Sequence, residues 1–163
     1  MPVALYRIDD RLIHGQVVVG WGQPLNLGFI VLIDDVVAES EWEQELYRLG
    51  VPPNMEVYFV STADAARDID KYMTDRRTGM ILTGSVEAML TLARTAVRPV
   101  TAVNVGGIHH REDRTQKLRY VFLNESEAQA LRDMAELGVV VTAQDRPSAT
   151  AHSLVLRLRG CAG

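Results

Sequence analysis

The 163-residue sequence predicts an α/β fold: an open, mostly parallel sheet of about seven strands with helices on both faces. Three observations predict it. Short apolar, β-branched runs alternate with longer stretches of helical periodicity. Several of those runs are apolar at successive positions, as strands buried on both faces tend to be. Turn residues punctuate the joins throughout.

Strands are expected over residues 3–7, 29–33, 56–60, 80–83, 101–104, 118–122 and 139–142. Between them, 41–49 places Trp42, Glu45, Leu46 and Leu49 at helical spacing, with Gly50 and Pro52-Pro53 as a stop. A helix over 62–73 opens with a Thr cap and an Ala-rich turn, and one over 85–96 carries Ala88, Met89, Leu92 and Ala96 on one face. Asn124 with Glu127 reads as a capped helix start, followed by Ala128, Leu131, Met134, Ala135 and Leu137 and stopped by Gly138. The stretch 107–116 is a polar interruption, and 144–153 loosens toward a tail. Neither resembles an interdomain linker and no repeat is visible, so residues 1–163 are expected to form one domain.

Hydrophobic residues make up 47% of the chain and charged residues 23%, the balance of a folded soluble domain. A formal charge of −4 offers no general attraction for nucleic acid or anionic lipid, so any anionic ligand must be held locally. The single cysteine, Cys161, precludes an intramolecular disulfide and a multi-cysteine metal site, which fits a reducing compartment. No apolar run is long enough to span a bilayer, and Met1-Pro2-Val3-Ala4 lacks the layout of a signal peptide. The expectation is a soluble cytoplasmic protein.

In open parallel sheets the ligand crevice lies beyond the carboxyl ends of the strands, where loops lead into helices. The first such junction carries Asp9-Asp10-Arg11-Leu12-Ile13-His14-Gly15 and then an apolar helical run through Trp21. A helix N-terminus favours an anion such as a phosphoryl group, Arg11 adds a fixed positive charge, and an imidazole is a nucleophile near neutral pH. The same residues also fit a structural reading, with His14 as a cap and Arg11 paired to Asp9 or Asp10 on a solvated surface. Local chemistry leaves both open. Leu12 and Ile13 either tuck into the core or form the apolar rim of a docking surface.

The run Arg7-Ile8-Asp9-Asp10-Arg11-Leu12-Ile13-His14-Gly15-Gln16-Val17 resembles the signature of the IIB subunits of mannose/fructose/sorbose-type sugar phosphotransferase systems. Further echoes occur at Trp21, over 30–38 and at Asn104-Val105-Gly106-Gly107, so the resemblance spans about residues 3 to 142. It implies a phosphotransferase without a cofactor, in which His14 takes a phosphoryl group on Nδ1 from a phosphohistidine of a IIA-type partner. The group then passes to sugar bound by membrane IIC and IID subunits, which would hold the chain peripherally at the inner membrane. By position Arg11 helps hold the phosphoryl group. Asp10, Gly15, Gly106 and Gly107 are the candidates for phosphate binding or loop support.

Two segments depart from the pattern. Gly22-Gln23-Pro24 should shorten or kink the first helix, and Ile108-His109-His110-Arg111 replaces an expected apolar continuation. Adjacent histidines on a strand face opposite ways, so no metal site is expected there. Asp34 and Asp35 invite a metal or acid/base reading but equally a capping one. The rival functions are a regulatory phosphoacceptor without a transport partner, a binding module that lost transfer, and, more distantly, a metal-dependent hydrolase built on Asp34 and Asp35. The sugar and the oligomeric state, a homo-oligomer included, stay open.

Overall fold

The computed structural model describes residues 3–159; Met1, Pro2 and Cys161 lie outside the described residues. Among the described residues seven strands form one sheet: β1 (Val3–Ile8), β2 (Leu27–Ile33), β3 (Glu56–Val60), β4 (Thr78–Thr83), β5 (Ala102–Val105), β8 (Val140–Ala143) and β9 (His152–Ser153), in the order β3-β2-β4-β1-β5-β8-β9. Every pairing is parallel except that of β9 with β8. The remaining strands, β6 (Thr115–Leu118) and β7 (Val121–Leu123), make a separate antiparallel hairpin.

The apolar runs explain the layering. Phe29 through Ile33 are all buried, and alternate residues enter two different cores. Phe29, Val31 and Ile33 join the larger core, which is closed by α2 (Thr62–Arg67), α3 (Ile69–Met73), α4 (Val86–Thr95), α5 (Glu125–Glu136) and α6 (Leu154–Arg159). Ile30 and Leu32 face the other way, onto Leu12, Ile13, Val17 and Val18 of the first loop and helix. Helices therefore cover both faces, as two-sided burial of a parallel sheet requires.

Four local differences from the sequence reading have physical causes. The strand expected at 118–122 is broken by a turn at Arg119-Tyr120, where the Arg119 side chain reaches solvent, and the two halves pair as β6 and β7. The helix expected over 62–73 is interrupted at Asp68, a residue type of low helix propensity whose carboxylate is bonded by Arg67. The tail expected after 144 instead forms β9 and α6, because Leu154, Val155 and Leu158 find the larger core. The first helix, Gln16–Gly22, is π-wound and ends where Gly22-Gln23-Pro24 interrupts it. The chain then enters β2 through Asn26, whose φ is +52°.

The helix α1 (Glu41–Leu49) has the expected span and a Ser40 cap, yet none of its residues is buried. Trp42, Leu46 and Leu49 form an apolar stripe that faces solvent, with Trp42 71% exposed. Periodicity found the helix but not the direction of its stripe.

The strand order also places the ligand crevice. From β1 the chain leaves toward β2, on the β4 side, whereas from β5 it leaves toward β8, on the opposite side. Neighbouring strands whose connections diverge leave a crevice at their carboxyl ends. Here that crevice lies between β1 and β5, which pair at Arg7 with Asn104 and Ile8 with Val105.

Candidate active site

Residues two apart on a strand share a face, so Arg7 and, just past the strand end, Asp9 project the same way. Both are completely buried. Arg7 Nη2 donates to Asp9 Oδ2 at 3.2 Å and to the Asp145 carbonyl at 3.2 Å, while Nη1 donates to Asn104 Oδ1 and to the Gln144 carbonyl. The Arg7 guanidinium carbon also lies 4.6 Å from the centre of the Trp21 ring. That contact gives the π-wound helix a purpose: its last turn lays an aromatic face against a buried cation.

Asp9 is the hub. Its Oδ1 accepts from the Arg11 backbone N–H at 3.2 Å and from Arg11 Nε at 3.1 Å, and its Oδ2 accepts from Arg11 Nη2 at 3.0 Å. His14 Nε2 stands 3.6 Å from Asp9 Oδ2, with the His14 side chain 20% exposed. Burial alone would push the Asp9 carboxyl up. The contacts with His14 and Arg11, together with the charges of Arg7 and Arg11, outweigh it and hold Asp9 well below the usual carboxylate range. Burial lowers the Arg7 pKa against the opposing pull of Asp9, and the hydrogen bonds to Asp9 raise that of Arg11.

The loop is pinned on both sides. Asp9 N–H donates to the Thr83 carbonyl, Asp10 N–H to the Gly107 carbonyl, and Gly106 N–H to the Ile8 carbonyl, at 2.7 to 2.9 Å. The chain then turns sharply, with the Leu12 N–H on the Asp9 carbonyl and Leu12 at φ +58°, a conformation a leucine adopts only when its surroundings insist. Leu12 and Ile13 are each only 8% exposed and belong to the smaller core, so the rim role considered for them gives way to a core one. The turn points Arg11 and His14 outward by driving the two residues between them inward.

Gly106 and Gly107 make room for side chains. A Cβ on Gly106 would lie 2.2 Å from Arg7 Nη2 and 2.7 Å from Asp9 Oδ2; one on Gly107 would lie 3.2 Å from Arg11 Nε. Gly15 is different: its backbone is ordinary helix at φ −53° and ψ −41°, and an added Cβ would meet nothing within 4 Å. The Asp10 carboxylate turns to the β5–β6 loop, where it takes the His109 backbone N–H at 2.7 Å and meets His109 Nδ1 at 2.6 Å. His110 and Phe122 meet at right angles, with ring centres 5.5 Å apart. Asp34 Oδ1 accepts from the Val36 and Val37 amides and Asp35 Oδ1 from the Thr62 amide, so both are turn and helix caps. Among the described residues no group of three or more His, Cys, Asp and Glu is placed to hold a metal ion.

The structure thus gathers Arg11, His14, Gly106 and Gly107 at one crevice and adds two residues that sequence reasoning passed over as hubs. The available signal was Arg7-Ile8-Asp9, a charge pair with period two at the end of a buried strand.

The sequence of residues 3–158 matches the family model described as "PTS system sorbose subfamily IIB component". The chain belongs to this sorbose-type IIB family. Among its relatives, the sorbose-specific EIIB component of Klebsiella pneumoniae is 34% identical over 85% of this chain and 84% of that one. The mannose-specific EIIAB component of Escherichia coli is 32% identical over 85% of this chain and 43% of its own length. The crystal structure of the IIBSor domain of the sorbose permease from Klebsiella pneumoniae superposes with a TM-score of 0.90 at 30% identity, covering 99% of each chain. As a IIB component the protein is part of a sugar phosphotransferase system, and its mostly parallel sheet is the fold of that domain.

Proposed function

We propose that this IIB component is a phosphocarrier, residues 1–163 acting as one domain, that accepts a phosphoryl group on His14 and passes it to a sugar. The observation that carries the reading is the contact of His14 Nε2 with Asp9 Oδ2 at 3.6 Å. A carboxylate facing Nε2 favours the tautomer with its proton there, which leaves the ring's lone pair on Nδ1. Nδ1 attacks the phosphorus of a phosphohistidine on the donor. The N–P bond to His14 forms as the donor's N–P bond breaks and the donor imidazole leaves with the electron pair. Positive charge that develops on the His14 ring faces the buried Asp9 carboxylate, whose own charge Arg7 and Arg11 secure.

Arg11 supplies the electrostatics on the phosphoryl side. Its Nε and Nη2 are committed to Asp9 and its side chain is a third exposed, so a fixed guanidinium stands beside the acceptor. Phosphoryl transfer asks mainly for in-line positioning and neutralised equatorial oxygens, and the fixed Arg11 charge answers the second demand. The open space over Gly15 favours close approach of the donor's loop.

The donor in this reading is a IIA-type protein and the recipient a sugar held by membrane IIC and IID subunits. The EIIAB relative supports the first partner, since by its name it joins a IIA to a IIB component in one chain. No helix among the described residues is long and apolar enough to cross a membrane, which fits a carrier working at the cytoplasmic face beside membrane subunits. Incubation with phosphoenolpyruvate, the general phosphotransferase proteins and a IIA component should place an acid-labile label on the protein. His14→Ala should abolish it while the circular dichroism spectrum and melting temperature are retained. Label that persists in a folded His14→Ala protein removes His14 from the mechanism.

A further inference from the structure

We propose that His109 is a positioning residue for phosphoryl transfer: by engaging Asp10 it keeps that carboxylate from competing with the phosphoryl group for Arg11. The inference deepens the phosphocarrier reading and rests on it.

The site loop presents two adjacent carboxylates beside a place meant for an anion. Asp9 is committed, buried between Arg7 and Arg11. Asp10 is not buried in this way; it immediately precedes Arg11, and its charge is felt by the Arg11 guanidinium. A carboxylate at that position with nothing else to bind would be drawn to the guanidinium edge needed by the phosphoryl oxygens. It would also repel their charge.

One residue occupies both Asp10 oxygens. The His109 backbone N–H donates to Oδ2 at 2.7 Å and the ring Nδ1 lies 2.6 Å from Oδ1. His109 is held in place from behind. Arg114 Nη1 donates to the His109 carbonyl at 2.9 Å and stands 3.9 Å from Asp10 Oδ2, while its Nε and Nη2 form a paired contact with Glu127 at 2.9 and 2.7 Å. Glu127 in turn completes the capping box of α5 with Asn124. The helix end, the β5–β6 loop and the site loop are thereby linked through His109. Arg114 is bonded mainly by Glu127 and reaches Asp10 Oδ2 only at 3.9 Å, Arg111 pairs with Asp113, and His110 packs against Phe122, so the side chain in hydrogen-bond contact with Asp10 is His109.

A purely structural role explains the arrangement less well. The His109 side chain is 67% exposed, and the two loops are already joined by the Asp10 to Gly107 backbone hydrogen bond. The ring adds little buried surface. Its distinctive effect is on the direction of one carboxylate next to Arg11.

The test is a double-mutant cycle on the full-length chain, reading His14 labelling by a phosphorylated IIA-type donor alongside melting temperature. His109→Ala should lower the maximal transfer rate at least about tenfold with the donor KM little changed, as expected when a transition-state interaction of Arg11 is lost. In an Asp10→Asn background the same His109 change should cost less than about threefold, because no charge remains to be restrained. A mere loop fastener predicts that Asp10→Asn alone slows transfer as much as His109→Ala, since either change breaks the same contact, and such equal losses, or a His109 loss undiminished by Asp10→Asn, overturn the proposal. If His109→Ala lowers the melting temperature enough to obscure the rates, His109→Asn decides. Its amide can still donate to Asp10, so transfer should stay within about threefold of wild type, and a loss as large as that of an unfolded control refutes the idea. Wild-type protein that takes no label overturns the carrier reading and this one together, whereas normal labelling with equal losses overturns only this one.

Discussion

Arg7 and Asp9 form a buried pair of opposite charges, and such pairs are sensitive to anything that separates them, because either partner left alone inside the fold is costly. Gly106 presses on both. Gly106→Ala would bring a methyl group to 2.2 Å from Arg7 Nη2 and 2.7 Å from Asp9 Oδ2, with no flexible surface tip to yield. We expect it to lower unfolding free energy by about 3 kcal/mol or more, the scale of a broken buried ion pair, and to impair labelling of His14 as well. Gly15→Ala is the contrast. Its backbone is already helical and its surroundings are open, so stability should be unchanged or slightly raised, by about 0.5 kcal/mol, as alanine replaces glycine in a helix. Chemical denaturation of the two variants side by side checks this, and similar losses at both glycines would refute the assignment. The residue types at this site were legible because a strand end, a His three residues after an Arg, and a Gly-Gly pair are local patterns. Asp9 was visible too, but a sequence does not say whether an Asp-Arg pair is solvated or lies beneath another chain segment. Only the placement of β5 and Gln144-Asp145 over β1 decides that.

At the scale of elements, what the sequence revealed was what each segment does by itself, and what it withheld was which way the segment faces. Helix α1 has the expected bounds and cap, and α5 shows the expected capping box, because both depend on contacts within a few residues. The outward stripe of α1, the break at Asp68, the β6–β7 hairpin and the docking of α6 depend on partners far along the chain. Leu12 and Ile13 make the same point, since two apolar residues in a charged loop fit a rim or a core equally well until the left-handed turn at Leu12 sends them inward. Leu12→Asp should therefore unfold the protein or lower its melting temperature by roughly ten degrees or more, because an unpaired buried carboxylate costs several kcal/mol. Trp42→Ala, on the exposed stripe, should move stability by less than about 0.5 kcal/mol despite removing the larger side chain. A stable Leu12→Asp protein would return Leu12 to the surface.

For the whole molecule, the net charge of −4 conceals a buried cationic centre, and the two respond to acid in different ways. The folded-state pKa of Asp9 lies well below its ordinary value near 3.9. As pH falls, the unfolded chain therefore takes up the proton first. The stability that Asp9 contributes is fully present above about pH 4 to 5 and is lost progressively as pH drops through the unfolded value toward the depressed one. Asp75, bonded by Arg77 and lowered to about 2, acts in the same direction from a more exposed position. At the alkaline end Tyr72 works in the opposite sense. Burial raises it to about 12, so its contribution holds below about pH 10 and declines as pH rises through the folded value. A comparison of wild type with Asp9→Asn separates the buried centre from the surface groups. At pH 7 the variant should be less stable by roughly 2 to 4 kcal/mol, since Arg7 loses its charged partner inside the fold. Below about pH 4 the gap should begin to narrow, because the unfolded wild-type chain takes up the proton while folded Asp9 still holds its charge, and it closes only as pH approaches the depressed folded value. Denaturant midpoints at pH 7, 5 and 3 would measure it, and a gap that stays constant across that range would mean that Asp9 is not the ionised hub between Arg7, Arg11 and His14.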